Sequence, residues 1–159
     1  MTADVPTAGP AGPRTLALQG LANRMVRGLL RVPLVSRGVG RRLIVLYVVG
    51  RTSGHRYTVP VAYQRHEGAL LIGTPFAWGR NLVTGQPVDV RLRGRRRVAD
   101  VEVFTDEARV VELYGLIARQ NRAFASFNAI SLDAAGTPDP DDLHRAWVGG
   151  ARVLRLVPR

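Results

Sequence analysis

Short apolar runs alternate with charged turns along most of this chain. The run LIVLYVV, residues 43–49, is continuously apolar and β-branched, which predicts a buried strand. Residues 57–63 follow as a second strand. Pro60 within it marks an edge or a bulge, because proline donates nothing to a ladder. RHEG turns the chain into ALLIGT, residues 69–74, a third strand. PFAWGRNLVTGQP, residues 75–87, reads as a loop with one helical turn near Asn81. VDVRLRGRRRVADVEVF, residues 88–104, reads as a hairpin, with Val88, Val90 and Leu92 on one face and Asp89, Arg91 and Arg93 on the other. ARVLRLV, residues 151–157, is the closing strand.

Two segments carry the helical period instead. Between 14 and 32, Leu18, Leu21, Ala22, Met25, Val26 and Leu29 share one face while Arg24, Arg27 and Arg31 point away, and Pro33 sets the end. Residues 1–13, rich in Pro, Gly and Ala, are expected to be disordered. Farther on, Thr105 reads as an N-cap ahead of Asp106 and Glu107, which suit the positive end of a helix. Val110, Leu113, Tyr114, Ile117 and Phe124 form its apolar stripe, and Trp147 and Phe127 are expected in the core. DAAGTPDPDD, residues 133–142, reads as a turn-rich loop. Consecutive hairpins with helices at the ends give the α+β class, with an antiparallel, barrel-like sheet in a single domain over 14–159.

Composition narrows the chemistry. The 159 residues include no cysteine, which excludes disulfides, thiolate chemistry and cysteine-ligated metals. His55, His66 and His144 match no ligand spacing, so no metal site is expected. The net charge is +11, and all 23 basic residues are arginine. Guanidinium forks grip phosphates and carboxylates through paired hydrogen bonds, so an anionic partner is implied: nucleic acid, a membrane face or an acidic small molecule. Against nucleic acid, Asp89, Asp100 and Glu102 sit among the hairpin arginines, and no aromatics interleave with RLRGRRR as a stacking platform requires. The helix over 14–32 suits peripheral contact with the inner membrane face, as interfacial helices do, or ordinary docking on its own domain. No apolar run is long enough to span a bilayer and MTADVPTAGPAGP does not read as a secretory leader, so a cytoplasmic protein is expected.

GRTSGHRYTVP, residues 50–60, holds more donors than a strand connection needs. A glycine-containing turn can converge backbone N–H groups on an anion, with Arg51 and Arg56 adding charge and Ser53 and Thr58 hydroxyls. His55 lies inside the same turn. The alternative is a solvated turn kept polar for solubility. In PFAWGRN, Trp78 reads either as a packing anchor or as a flat wall beside a planar ligand, with Asn81 available to a ring carbonyl or a ribityl hydroxyl.

Together these stretches resemble the deazaflavin-dependent nitroreductase and quinone reductase family. An apolar strand is followed by Gly50-Arg51-Thr52-Ser53-Gly54, then Arg56, Thr58 and Pro60, then Trp78, Asn81 and Leu82, then Pro87-Val88-Asp89-Val90. The likeness runs from about residue 39 to about residue 110 in order and spacing. It implies a split β-barrel related to FMN-binding flavin reductases, and reduced 8-hydroxy-5-deazaflavin, coenzyme F-420, as cofactor, with FMN as the alternative and haem a further variant. By position, Arg51, Thr52, Ser53, Gly54, Arg56 and Thr58 would face the cofactor's phosphate and oligoglutamate tail, and Pro60, Val61, Trp78 and Asn81 would border its ring. The activity implied is hydride delivery to a quinone, nitroaromatic or other activated acceptor. It needs no protein general base, and the proton comes from water or from a hydroxyl such as Tyr63 or Tyr114. A non-catalytic cofactor-binding protein is the competing reading, with a basic nucleic-acid-binding module behind it. Two departures stand out. GTPFAWG is shorter than the family's segment before the tryptophan and carries no charge before Arg80, and the likeness does not extend past residue 119.

Overall fold

The computed structural model describes residues 42–159; the helix expected over 14–32 and the disordered segment expected over 1–13 lie outside them. Seven strands follow in order: β1 (Leu43–Val49), β2 (Arg56–Ala62), β3 (Gln64–His66), β4 (Ala69–Thr74), β5 (Val88–Leu92), β6 (Arg95–Phe104) and β7 (Arg152–Pro158). They pair antiparallel in one sheet of order β2-β1-β5-β6-β7-β4-β3.

The two edge strands of that sheet, β2 and β3, are consecutive in the chain with only Tyr63 between them. Seven strands laid flat at about 4.8 Å spacing would hold their edges roughly 29 Å apart, whereas one residue spans only about 3.5 Å. The sheet therefore curls into a half-barrel. Tyr63 is buried at the corner, and its N–H donates to the Arg42 carbonyl at 2.9 Å. Pro60 falls on edge strand β2, where the missing donor costs no ladder bond.

Register sorts the side chains. Leu46 stands opposite Val59 and Val90, Leu154 opposite Ile72 and Val103, and Leu156 opposite Leu70 and Val101. Leu46, Val90, Ile72, Leu154 and Leu156 are wholly buried and fill the concave face. Three helices, α1 (Glu107–Gln120), α2 (Arg122–Phe127) and α3 (Pro140–Val148), supply a second layer. Val110, Leu113, Tyr114 and Ile117 of α1 pack with Leu71 of β4 and Val153 of β7. Strand β4 is thus covered on both faces, which is why ALLIGT is apolar without alternation.

Several sequence expectations change. The N-cap of α1 is Asp106, not Thr105, because the Asp106 carboxylate accepts the Arg109 N–H at 3.0 Å while the Thr105 carbonyl accepts from the Trp147 indole at 2.9 Å. Helix α1 stops at Gln120, since Asn121 leaves helical geometry and caps α2 by accepting the Phe124 N–H at 3.0 Å. Phe124 therefore belongs to α2, although its ring still meets Tyr114 edge-on at 4.8 Å. The expected loop over 133–142 gives way at Asp139, whose side chain accepts from the amides of Asp141 and Asp142, with Pro140 in the first helical turn of α3. Of the turn expected over RHEG, Arg65 and His66 pair in β3 and only Glu67 and Gly68 turn the chain. The closing strand β7 lies between β6 and β4 inside the sheet. Phe127, expected in the core, is 51% exposed and leans on Phe76 at 6.0 Å. Asp100 and Glu102 pair with Arg159 and Arg155, not with arginines of their own hairpin.

Where β4 passes beneath the helices, Gly73 leaves no room. A Cβ there would stand 2.6 Å from the Phe124 ring and 2.7 Å from the Tyr114 ring. Gly73→Ala should cost about 1–3 kcal/mol through this overpacking, read as a lowered urea midpoint at unchanged m-value; an unmoved midpoint would show that both rings shift freely.

Candidate functional site

The β1–β2 connection, residues 50–55, is a closed turn. The Gly50 N–H donates to the His55 carbonyl at 2.7 Å, and the Gly54 N–H donates to the Gly50 carbonyl at 2.8 Å. Gly54 has φ +66°, the left-handed region that glycine enters without a steric cost. The Ser53 hydroxyl accepts the His55 N–H at 3.2 Å, so it first serves the turn itself.

A second turn, a single 3-10 stretch over Ala77–Asn81, is fastened to the first. The Arg51 N–H donates to Asn81 Oδ1 at 3.1 Å, and Arg51 Nη1 donates to the Arg80 carbonyl at 3.2 Å. Asn81 Nδ2 donates in turn to the Trp78 carbonyl at 3.2 Å. The Asn81 amide is thus a bracket, gripping one turn with its oxygen and the other with its nitrogen. Trp78 lies buried beneath, as a packing anchor does.

Beside the bracket opens a cleft of about 700 Å³. Tyr47, Val49 and Val98 of the sheet and Leu82, Val83 and Pro87 of the following loop give it apolar walls. Arg51, Asn81, Gln86 and Asp89 supply polar groups, and Gly54 completes the turn side. Arg96 stacks over the Tyr47 ring at 4.7 Å, which brings a second cation to the rim. Arg51 and Arg56 form no ion pair among the described residues.

A scan of family models and a search of curated proteins find no match to the chain.

The residues picked out in the sequence separate into three groups. Arg51, Gly54 and Asn81 line the cleft, and Thr52 and Ser53 belong to the turn that forms its lip. On β2, Arg56 stands opposite Val49, Thr58 opposite Tyr47 and Pro60 opposite Val45, so all three share the outward face that carries the cleft's floor without lining it. Val61 stands opposite buried Ile44 and faces the interior, away from the cleft, as does Trp78. The two hydroxyls considered as proton donors lie elsewhere. Tyr63 is buried at the sheet corner, and Tyr114 is wholly buried under the helices, donating to Asn128 Oδ1 at 2.9 Å. Burial pushes the Tyr114 phenol well above its ordinary pKa, so it stays neutral.

Sequence reasoning missed Tyr47, Gln86 and Asp89. Tyr47 is the lone aromatic in LIVLYVV, at a position alternate to Leu46 and Val48, and that offset was its signal. Gln86 and Asp89 carried none beyond polarity.

The bracket is open to direct test. Asn81→Ala removes both of its hydrogen bonds, and exchange of the Arg51 amide should accelerate about three- to tenfold, the size expected for one such bond. Unchanged protection of that amide would mean the turn holds itself without Asn81.

Proposed function

We propose that the chain is a cofactor-dependent reductase of the deazaflavin-dependent type, its curled sheet a split β-barrel, acting on a quinone, nitroaromatic or similar acceptor. One observation carries the reading. The two motif-bearing stretches, thirty residues apart, are joined by Arg51 and Asn81 at the rim of one cleft. Neither a solvated turn nor a packing anchor requires that meeting.

The residues present fit such a cofactor. A volume of about 700 Å³ falls in the range of small-molecule sites, which combine apolar walls with a few convergent polar groups. Tyr47, Val49, Leu82 and Pro87 offer flat apolar surface to a planar ring system. Arg51 stands at one end of the cleft, and Arg56 extends the same cationic edge along β2 toward a phosphate and carboxylate tail. When bound, a reduced deazaflavin supplies the hydride, and the protein contributes binding, orientation and exclusion of water. The proton that completes acceptor reduction comes from water or from the Tyr47 hydroxyl, the one phenol among the cleft's lining residues. FMN fits the same walls but lacks the long anionic tail, so the arginines distinguish the two cofactors.

Arg56→Ala is the cleaner probe, because Arg51 also holds the Arg80 carbonyl. By absorbance titration it should weaken the deazaflavin coenzyme by about 1.5–3 kcal/mol, roughly ten- to a hundredfold, and FMN much less. Equal losses for both cofactors would remove the tail-binding role. Cofactor retention without turnover of menadione or a nitroaromatic by the reduced complex would leave a binding protein rather than an enzyme.

A further inference from the structure

Two guanidinium-bearing side chains cross beside the 3-10 turn. Arg152, the first residue of β7, runs over Gly79, where its Cδ lies 3.1 Å from the place a Cβ would occupy. Arg80 runs the opposite way, its Nη2 lying 3.7 Å from the corresponding place at Gly150. Arg152 thus passes over the glycine next to Arg80, and Arg80 reaches the glycine two residues before Arg152. A Cβ at Gly79 would also stand 2.9 Å from Thr74 Cγ2, so the close approach of Arg152 depends on that glycine.

The arrangement lacks its counter-charge. No carboxylate pairs with Arg80 or Arg152 among the described residues. Outside them the sequence holds a single acid, Asp4. Arg152 Nε is buried and meets no hydrogen-bond partner among the described residues, so no acceptor there explains why the side chain is held in place. Burial, and then the charge of Arg80, lower the Arg152 pKa from its ordinary value, yet a guanidinium so far above neutrality stays protonated. Two like charges, one partly desolvated, act on each other with no carboxylate paired to either among the described residues. An oxyanion accepting from both reverses the sign of that interaction, and a tetrahedral dianion has oxygens enough for two forks where a single carboxylate does not.

We propose that Arg80 and Arg152 form a binding site for a phosphate group. The inference stands without the reductase reading, although Arg80 links the site to the cleft through the carbonyl that Arg51 holds. The phosphate belongs either to a free phosphate ester or to a phosphorylated ligand seated in the cleft.

Inorganic phosphate against chloride at equal ionic strength is the first test. At about ten times its Kd, phosphate should raise the Tm of the full chain by roughly 3–6 °C, and acetate should not. Arg152→Met should melt no lower than wild type in chloride and lose the phosphate increment. Arg80→Gln, changed at an exposed side chain, should lose it too. Arg95→Gln removes the same charge at the other end of β1 and should keep it. The proposal falls if wild type shows no increment, if both site variants retain it, or if Arg95→Gln loses it equally, which would mean diffuse screening only. The source follows from a second titration, with the deazaflavin coenzyme and its phosphate-free nucleoside. Selective weakening of the coenzyme in Arg152→Met places the phosphate on the cleft ligand, and equal affinities place it on a free ester. Failure of both compounds to bind would count against the reductase reading and leave the thermal result standing.

Discussion

Because Tyr63 alone connects the two edge strands, the sheet has to close toward itself, and the placement of every functional group follows from that curvature. Curling gives a concave face that the strands fill with buried aliphatic side chains such as Leu46, Ile72, Val90, Leu154 and Leu156, while the cleft opens at the outer face. It also forces the β4–β5 connection to travel. Strand β4 lies next to one edge and β5 near the other, with β7 and β6 between them in the sheet. The chain from 75 to 87 therefore crosses the end of the half-barrel, where β1 also ends at Val49. The meeting of the 3-10 turn with the turn at 50–55 results from that crossing, and the Arg51–Asn81 bracket secures it.

What the sequence made legible tracks how far each feature depends on local chemistry. Strands β1 and β4 could be read to the residue from their continuous apolar runs, which burial on both sides explains for β4 alone, since β1 turns alternate residues outward. Strand β3 could not: Gln64, Arg65 and His66 have no strand pattern and are paired only because the corner delivers them to β4. Helix α3 was hidden by its own start, where Asp139 and Pro140 serve equally well in a turn or as a cap and first turn. The polar residues of the 50–55 turn stood out because a hairpin does not need them. That the Asn81 oxygen is engaged by the Arg51 amide was not readable, because that partner comes from the fold, whereas the Ser53 and Trp78 contacts are local to their own turns. Tyr47 is the reverse case, an unremarked strand residue that the alternation of β1 places on the cleft's wall.

The charge distribution sharpens the contrast between the two faces of the molecule. The acids of β6 are engaged at the carboxyl end of the chain, where Asp100 holds Arg159 at 2.8 Å and Glu102 approaches Arg155 at 3.6 Å. In the β5–β6 hairpin Arg91 instead stands opposite Arg96, a like-charged pair that a sheet tolerates only where both side chains reach water. Exposed guanidinium groups of this kind are screened and cost little, so the overall excess of arginine does not by itself locate a binding site.

Burial is what separates Arg152 from the rest. A screened arginine says nothing about a partner, but one whose Nε is buried with no hydrogen-bond partner among the described residues is held against its own solvation. The holding element is the 3-10 turn, whose Gly79 admits the Arg152 stem, whose Arg80 supplies the second charge, and whose Arg80 carbonyl accepts from the Arg51 guanidinium. A five-residue segment thus sets the positions of three guanidinium groups at once. Any shift of that turn must move the cleft rim, Arg80 and Arg152 together, so the two proposed anion sites are mechanically one unit rather than two independent features of a basic surface.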